Sequence, residues 1–245
     1  MDLEKILPTN GPSIKEVKKY IKKYLKEIIV IKCGGSVLLD KNLFKQFIEN
    51  VSVIHKLGLS VIVVHGGGKN IKKKLDKLNI ESKFIDGLRV TDRKTIKVVE
   101  EALLELNSEI INNLNNLETN AESVAPHNKN IIKIKPEKKE LGFVGFPNEI
   151  DSKGILKIIE EKKIPIVVPM GTSNDKKIYN INADIAAGSI AKKLSSRRLL
   201  LMTDVEGVLD KDKKLIPEIN SSIAEKMLKD GDISGGMIPK INTCL

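Results

Sequence analysis

The sequence predicts an α/β fold in which a mostly parallel, open sheet is sandwiched between helices. Strand-like and helical segments alternate along most of the 245 residues, as they do when helices connect the strands of a parallel sheet. The strands are short continuous apolar runs, such as Ile-Ile-Val-Ile at 28–31 and Val-Ile-Val-Val at 61–64. Such runs indicate burial on both faces, because a half-exposed strand would alternate apolar and polar residues.

The first elements follow from the spacing of apolar residues. Residues 14–27 carry them at helical intervals with Lys between, which predicts an amphipathic helix ahead of the first strand. We expect the first two strands at 28–32 and 60–65, and each runs into glycines. Helices are expected over residues 41–57, 69–78 and 92–114.

The middle of the chain has a different character. Residues 115–150 are polar and contain two short β-like pieces, 131–135 and 142–146, which predict a hairpin outside the main sheet. Regular alternation resumes after this segment. We expect strands over residues 165–170 and 198–203, and helices over residues 152–161, 183–194 and 222–229.

Composition narrows the function classes. The net charge is +10, but only 3% of residues are aromatic and Trp is absent, so the stacking surface of a single-stranded nucleic-acid binder is not expected. A solvated lysine surface or an anionic substrate explains the charge better. No apolar run approaches the ~18–20 residues that span a bilayer. The N-terminus lacks a signal-peptide pattern, so we expect a cytoplasmic protein.

Cysteine and histidine usage argues against a metal site. Cys33 and Cys244 lie far apart and form no CxxC pair, and the three His residues are scattered. We therefore expect no protein-bound metal cluster. Cys33 is expected to be a small buried hydrophobe, and His65 to make local hydrogen bonds instead of transferring protons.

Two glycine-rich loops follow the first two strands. They read Lys-Cys-Gly-Gly-Ser at 32–36 and His-Gly-Gly-Gly at 65–68. Glycines at this edge of a parallel sheet let backbone N–H groups approach an anion, although they also simply make tight turns. Neither loop fits the GxGxxG pattern or the Walker pattern, which argues against a dinucleotide fold and a P-loop NTPase.

Several polar residues are candidates for contacts with a ligand, each with a structural alternative. Lys32 ends a buried strand and either meets a phosphate or extends to the surface. Arg89, in Gly-Leu-Arg-Val-Thr-Asp, either grips a carboxylate or lies on the surface. Asn180 and Asp184 either bind a ligand or cap a helix. The Gly-Gly pair before Lys240 suits phosphate binding.

The order of these motifs is more informative than any one of them. KxGGS, HGGG, GLRVTD, NxNAD, TDVxGVLD and GGMxPK follow one another across residues 32–240. This succession resembles the amino-acid kinase family, whose fold is the carbamate kinase-like sandwich, and the GLRVT and NxNAD pair is most similar to its acetylglutamate branch. The resemblance covers nearly the whole chain from residue 28 onward.

The resemblance implies an activity and a set of site residues. Members of this branch are enzymes of arginine biosynthesis that transfer a phosphoryl group from ATP to the side-chain carboxylate of N-acetyl-L-glutamate. Lys32 and Lys240 would flank that group, and Asp184 would hold both lysines. Acidic-substrate contacts would come from Gly66, Gly67, Arg89 and Asn180. ATP contacts would come from Gly34, Gly35, Asp204, Gly207, Leu209, Asp232 and Ser234. Mg²⁺ is expected on the phosphates, through phosphate and water oxygens.

The resemblance also implies an organisation and partners. Residues 1–27 would be a helical extension, 28–175 a lobe for the acidic substrate, and 176–245 a lobe for ATP. Family chains continue several tens of residues past GGMxPK, so this second lobe is expected to be incomplete. A homodimer is expected, with a hexamer through the N-terminal helix as a further option, and no nucleic-acid or membrane partner.

Three alternatives to this activity stay open. A sister kinase would act on a carrier-bound aminoadipate or glutamate with the same lysines and glycines. A non-catalytic regulator would keep the fold without turnover. A nucleic-acid binder using the +10 charge would lose affinity steeply with salt.

Overall fold

The computed structural model describes residues 3–9, 11–210, 212–233 and 235–245. In chain order its strands are β1 (Ile28–Cys33), β2 (Ser60–His65), β3 (Phe84–Ile85), β4 (Leu88–Arg89), β5 (Ala121–Val124), β6 (Ile132–Pro136), β7 (Gly145–Ile150), β8 (Ile164–Val167), β9 (Met170–Thr172), β10 (Ile178–Asn180) and β11 (Arg198–Leu201). Its α-helices are α1 (Leu3–Ile6), α2 (Ile14–Tyr24), α3 (Lys41–Lys56), α4 (Gly68–Lys77), α5 (Arg93–Asn116), α6 (Ser152–Glu160), α7 (Ala183–Lys193), α8 (Ser221–Lys229) and α9 (Met237–Cys244). Short 3-10 helices span Gly35–Leu38 and Lys139–Leu141.

The main sheet has the strand order β11-β1-β2-β8-β5, and every neighbouring pair is parallel. Alternate residues of its central strands point into different helical layers. Ile31 and Val63 pack in one core with α3 and α5. Val30 and Ile62 pack in the other with α6 and α7. This two-sided burial explains the continuous apolar runs and confirms the predicted mostly parallel sheet between helices.

A second sheet, ordered β10-β9-β6-β7, stands beside the main one. Strands β6 and β7 pair antiparallel, which confirms the hairpin predicted within residues 115–150. That prediction was wrong in one respect, because β5 from the same segment belongs to the main sheet. The edge strand β5 reads Ala-Glu-Ser-Val and buries only Val124 fully. It therefore lacks the apolar run that identified the other strands.

Side-chain caps define where three of the helices begin. Asp40, Asp92 and Asn182 precede α3, α5 and α7, and each accepts hydrogen bonds from two backbone N–H groups in the first turn. These bonds satisfy donors that a helix leaves without partners. The helix cap in the Asn-x-Asn-Ala-Asp motif is therefore Asn182, whereas Asn180 ends β10 and Asp184 lies inside the first turn of α7.

The last two helices form a small cluster of their own. Ala224, Met227, Ile233 and Ile241 pack together, and α9 lies against α7. Gly188 of α7 meets Thr243 so closely that an added Cβ would collide with it. This contact brings α9, with Lys240, to the edge of the main sheet. Within the described ranges no helix has both the length and the apolarity needed to cross a bilayer.

Candidate active site

The candidate site is a cleft of about 250 Å³ at the carboxyl ends of β1 and β2. Ligands of open α/β sheets bind at this edge, because the strand-to-helix turns meet there. Eight of the site residues implied by the resemblance, assigned there to catalysis, the acidic substrate or ATP, line this one cleft. They are Lys32, Gly34, Gly35, Gly66, Gly67, Arg89, Asn180 and Asp184.

One carboxylate holds two lysines at the floor of the cleft. Asp184 Oδ1 lies 3.0 Å from Lys32 Nζ, and Asp184 Oδ2 lies 2.7 Å from Lys240 Nζ. The Asp184 and Lys32 residues are 6% and 9% exposed, respectively. Burial raises the pKa of the Asp184 carboxyl group, but the two ammonium groups outweigh burial and hold that pKa below its usual value. The cluster therefore carries a net positive charge at neutral pH.

The two glycine-rich loops close one side of the cleft and are joined to each other. Gly66 N–H donates to Cys33 O at 2.6 Å, so a hydrogen bond holds the second loop against the end of β1. A Cβ on Gly34 would lie 2.9 Å from Lys32 Nζ and would displace that lysine. A Cβ on Gly66 would touch protein atoms only at 3.6 Å or more. The fold therefore has room for a side chain at Gly66, and the absence of one leaves space for a ligand.

Arg89 lies in β4, in the small β3–β4 hairpin that forms another wall. It is 7% exposed, so the alternative of a surface residue is wrong. Its guanidinium donates to Gly68 O at 3.1 Å and to Ser82 Oγ, and it lies over the Phe84 ring. Burial lowers the pKa of this guanidinium. No carboxylate in the described ranges forms an ion pair with it, so its charge can pair with a carboxylate of a bound molecule.

The hairpin also reaches across to the last helix. Gly87, at its turn, has a φ of +77°, and a Cβ there would lie 3.5 Å from Pro239 Cγ of α9. The wall that carries Arg89 thus meets the helix that carries Lys240.

Asn180 ends β10 and faces the cleft from the second sheet. Its backbone N–H donates to Phe143 O at 2.9 Å, which fixes the residue in place. Its carboxamide makes no hydrogen bond to any other residue that the structure describes. It can therefore offer both a donor and an acceptor to a bound molecule.

Asp204 was predicted to contact ATP, and the structure places its side chain against the first glycine loop. Its Oδ1 accepts from Ser36 N at 2.8 Å and Ser36 Oγ at 2.6 Å, and Oδ2 lies 3.2 Å from Lys69 Nζ. These contacts, led by the Ser36 hydroxyl, lower the pKa of Asp204 to about 2. At Gly35, φ is +65° and a Cβ would collide with the Asp204 carboxylate. Asp204 therefore fastens this loop to the start of α4.

Three further residues predicted for ATP, Gly207, Leu209 and Asp232, do not line the cleft. Gly207 and Leu209 belong to a turn in which Leu209 bridges to Leu215. Asp232 follows α8, where its N–H donates to Met227 O at 3.0 Å, and Ser234 lies outside the described residues. Their role in ATP binding stays a prediction.

Sequence reasoning missed several residues of the site. Ser36 and Lys69 adjoin the two glycine loops, so their position in the motifs was the available signal. Asn107 gave no signal, because it lies in the middle of α5, outside every motif, and its contact with His65 is made only in the folded chain. The local hydrogen bonding expected of His65 is confirmed by its contacts to Gly66 and Asn107.

The donors of the cleft suit an anion better than a cation. Lys32, Arg89 and several glycines line it, and Lys240 adjoins it through its ion pair with Asp184. Within the described ranges no three His, Cys, Asp or Glu side chains lie close enough to hold a metal ion. Cys33 is fully buried, and burial raises the pKa of its thiol to about 12, which confirms the expected inert hydrophobe.

Comparison with known proteins agrees with this geometry. Residues 27–245 match the sequence model of the amino acid kinase family. The chain is 53% identical over 244 residues to an acetylglutamate kinase of Pelagibacter ubique, covering 100% of this chain and 85% of that relative. It is 41% identical over 228 residues to an acetylglutamate kinase of Campylobacter fetus, covering 92% of this chain and 81% of that one.

A solved structure shares the fold at greater distance. Carbamate kinase from Giardia lamblia bound to AMP-PNP matches with a TM-score of 0.67 and 19% identity, over 89% of this chain and 86% of that one. This likeness concerns the fold alone, and it confirms the predicted carbamate kinase-like architecture.

Proposed function

The chain belongs to the amino acid kinase family, and from this premise we propose that it phosphorylates the side-chain carboxylate of N-acetyl-L-glutamate with ATP, a step of arginine biosynthesis. The single observation that carries the proposal is the pair of lysines on one buried carboxylate, set opposite two glycine loops and a guanidinium that has no carboxylate partner among the described residues. That arrangement suits a reaction between two anions, because it supplies positive charge where both must come together.

The cluster at the floor would neutralise the group in transit. Phosphoryl transfer needs positioning and compensation of charge on the equatorial oxygens, with little covalent work from the protein. Lys32 and Lys240 would supply that charge. Asp184 would act as a positioning residue, since it holds both ammonium groups within 3.0 Å of its own oxygens.

The walls would hold the acceptor. Arg89 would pair with the α-carboxylate in the two-pronged manner that a guanidinium allows. The Asn180 carboxamide would hydrogen-bond the acetamido group, and the loop at Gly66 and Gly67 would border the reacting carboxylate. Aminoadipate, the acceptor considered for a sister kinase, has a longer chain between its two carboxylates. Its fit therefore depends on the distance between Arg89 and the loop at Gly66 and Gly67.

The bonds balance without a general base. A side-chain carboxylate oxygen of the acceptor attacks the γ-phosphorus of ATP, and a new P–O bond forms. The bond from that phosphorus to the β,γ-bridging oxygen breaks, and its electron pair stays on ADP. The acceptor is already an anion at neutral pH, so no proton has to be removed. This agrees with a cleft whose neighbouring histidine, His65, is buried and kept neutral, with a pKa of about 4.

ATP binding and magnesium belong to the finer part of the proposal. Mg²⁺ would be held by phosphate and water oxygens and would neutralise charge on the β- and γ-phosphates. The cationic and N–H donors of the cleft fit a phosphate chain that arrives with its own metal. The use of ATP also agrees with the expected cytoplasmic location.

A further part of the proposal concerns self-association. Tyr20 and Leu25, in and just after α2, are 51% and 52% exposed, so part of the apolar surface of this amphipathic helix can meet a partner. We propose that a homodimer forms and that α2 joins dimers into a hexamer. Deletion of residues 1–26 is expected to lower the assembled mass in light scattering without changing the mass of the dimer.

The test of the function is an acyl-phosphate assay with hydroxylamine as the trap. N-acetyl-L-glutamate, glutamate, aspartate and aminoadipate are supplied in parallel with ATP and Mg²⁺. We expect hydroxamate from N-acetyl-L-glutamate and at most traces from the others.

Two lysine variants test the role of charge, one inside the cluster and one outside it as a matched control. Lys240→Met removes a cation of the cluster and is expected to lower kcat by about 10²–10³-fold. Lys229→Met removes an exposed cation at the end of α8 and is expected to change nothing. A folded protein that yields no hydroxamate with any acceptor contradicts the proposed function.

A further inference from the structure

A hydrogen-bonded chain runs behind the second glycine loop, on the side away from the cleft. His65 Nδ1 lies 3.1 Å from Gly66 O, and His65 Nε2 lies 3.1 Å from Asn107 Nδ2. The same Asn107 nitrogen lies 2.9 Å from Ile166 O of β8. His65 and Asn107 are 0% and 2% exposed, so water cannot replace the hydrogen bonds among these four residues.

The two ends of the chain fix the direction of each hydrogen bond. Gly66 O and Ile166 O are carbonyl oxygens and can only accept. His65 must therefore donate from Nδ1, and the Asn107 amide must donate to both Ile166 O and His65 Nε2. The imidazole is thus neutral, with its proton on Nδ1. Burial lowers the pKa of His65 to about 4, which keeps this state throughout the neutral range.

Fixing Gly66 O also fixes the next N–H group. The Gly66 carbonyl and the Gly67 N–H share one planar peptide unit, and in a trans unit they point in opposite directions. The structure has no cis peptide bond in its described part. Since the carbonyl points back to His65, the Gly67 N–H points forward to the cleft that Gly67 lines. It donates to no group in the residues that the structure describes, so it is free to meet a ligand.

We propose that His65 and Asn107 are positioning residues that lock the 66–67 peptide so that the Gly67 N–H donates to an anionic oxygen of the reacting pair. The proposal rests on the function proposed above and deepens it. Gly66 N–H is held by Cys33 O on the other side. Without the His65 bond, the peptide that follows Gly66 could rotate, because glycine tolerates either orientation.

Two substitutions of His65 separate positioning from packing. In His65→Asn the amide nitrogen occupies the place of Nδ1 and can still donate to Gly66 O. In His65→Gln the amide nitrogen reaches the place of Nε2, beside Asn107, and the bond to Gly66 O is lost. The Asn side chain leaves the larger void, so on packing alone it is the more damaging change.

The expected result is that activity and stability rank in opposite orders. His65→Gln should melt at the higher temperature and lose about ten- to hundredfold in kcat/KM, as expected for a misplaced donor. His65→Asn should melt lower and keep kcat/KM within about threefold of the wild type. Equal losses in both variants, or none in either, would overturn the proposal.

The kinetic constants identify the oxygen that Gly67 meets. A loss confined to the KM of N-acetyl-L-glutamate indicates the acceptor carboxylate, and a loss in the KM of ATP indicates a phosphate oxygen. A loss in kcat indicates an oxygen whose charge develops in the transition state. Wild-type turnover is measured first, so a chain without kinase activity is recognised before the variants are compared.

A measurement on the wild type needs no substitution. The chain has three histidines, so nitrogen NMR of ¹⁵N-histidine-labelled protein resolves the ring of each one. We expect one buried ring with its proton on Nδ1 between pH 6 and 8. A proton on Nε2 of His65 would contradict the proposal, whatever the variants do.

Discussion

Replacing Asp184 by Asn removes one negative charge from between two lysines and leaves the shape of the side chain almost unchanged. The net charge of the three groups rises from +1 to +2, because Lys32 and Lys240 both remain. Asn keeps one carbonyl oxygen for one ammonium group and turns an N–H₂ toward the other. We therefore expect the two lysines to move apart.

The structure sets the size of the effect on stability. The Asp184 side chain is 8% exposed, and the lysine side chains are 11% and 18% exposed. Breaking a buried pair costs about 3–5 kcal/mol, and the remaining oxygen and access of water from the cleft reduce this to about 2–3 kcal/mol. For a chain of this size that corresponds to a fall of about 4–12 °C in the melting temperature.

The pH dependence has a definite sign. The pKa of Asp184 is lower in the folded protein than its ordinary value of about 3.9. The carboxylate therefore contributes its full stability above that value, and the contribution is lost as the pH falls through the folded pKa. The difference in melting temperature between the wild type and Asp184→Asn should be constant from pH 5 to 8 and should shrink below about pH 4.

The assay compares melting, nucleotide binding and turnover. We expect kcat to fall by about 10²–10³-fold, since the cations no longer sit where charge develops. ATP should still raise the melting temperature of Asp184→Asn, by at least as much as in the wild type, because the more positive cluster attracts its phosphates. The control is Asp175→Asn, whose side chain is 53% exposed and pairs with Lys177 at 2.6 Å. Such surface pairs contribute about 0–1 kcal/mol.

Two results would refute this reasoning. A kcat within threefold of the wild type would mean that Asp184 does not position the lysines. Loss of the ATP-induced rise in melting temperature would mean that Asp184 acts in binding the nucleotide and not in placing the cations.

Three further predictions concern the loops and the thiols. Gly66→Ala should fold with an unchanged melting temperature, because a Cβ meets no protein atom closer than 3.6 Å, and a fall in kcat/KM of about tenfold or more would show that the space serves the ligand. Asp204→Asn should destabilise by at most about 1 kcal/mol at pH 7, since the carboxylate is partly exposed; its folded pKa of about 2 means that the difference should vanish as the pH falls from 4 to 2, which thermal scans across that range would reveal. Iodoacetamide at pH 8 should label one thiol per native chain, Cys244, and two after unfolding, because Cys33 is buried and its pKa is raised to about 12; two labelled thiols in the native chain, counted by mass spectrometry, would contradict the buried position of Cys33.

Much of the fold could be predicted because its central strands are buried on both faces. Strand β2 was predicted with the bounds that it has, and β1 ends one residue later than expected. The elements that were missed are those with little apolar signal. Strand β5 is a polar edge, and β3 and β4 are two residues long. Their existence depends on neighbours far along the chain, which periodicity does not report.

The candidate site was only partly readable for the same reason. The glycine loops could be recognised from the sequence, because each is a run of neighbouring residues that directly follows a strand. The meeting of Lys32, Asp184 and Lys240 is not local, and it was expected only from the order of the motifs. The contact of Asp204 with Ser36 joins residues 168 positions apart, and nothing in either motif specifies it. The partner of a charged side chain is a property of the folded chain.

Within the part of the chain that the structure describes, the main sheet has two edges, and they are protected to different degrees. At one edge, Glu122 of β5 forms ion pairs with Lys129 and Lys163, and such charges hinder the approach of a second strand. At the other, β11 reads Arg-Leu-Leu-Leu, and Leu200 is 43% exposed. We expect aggregation to begin at the less protected edge. In concentrated solution the first aggregates should grow by addition of strands at β11, and a lysine in place of Leu200 should raise the solubility limit.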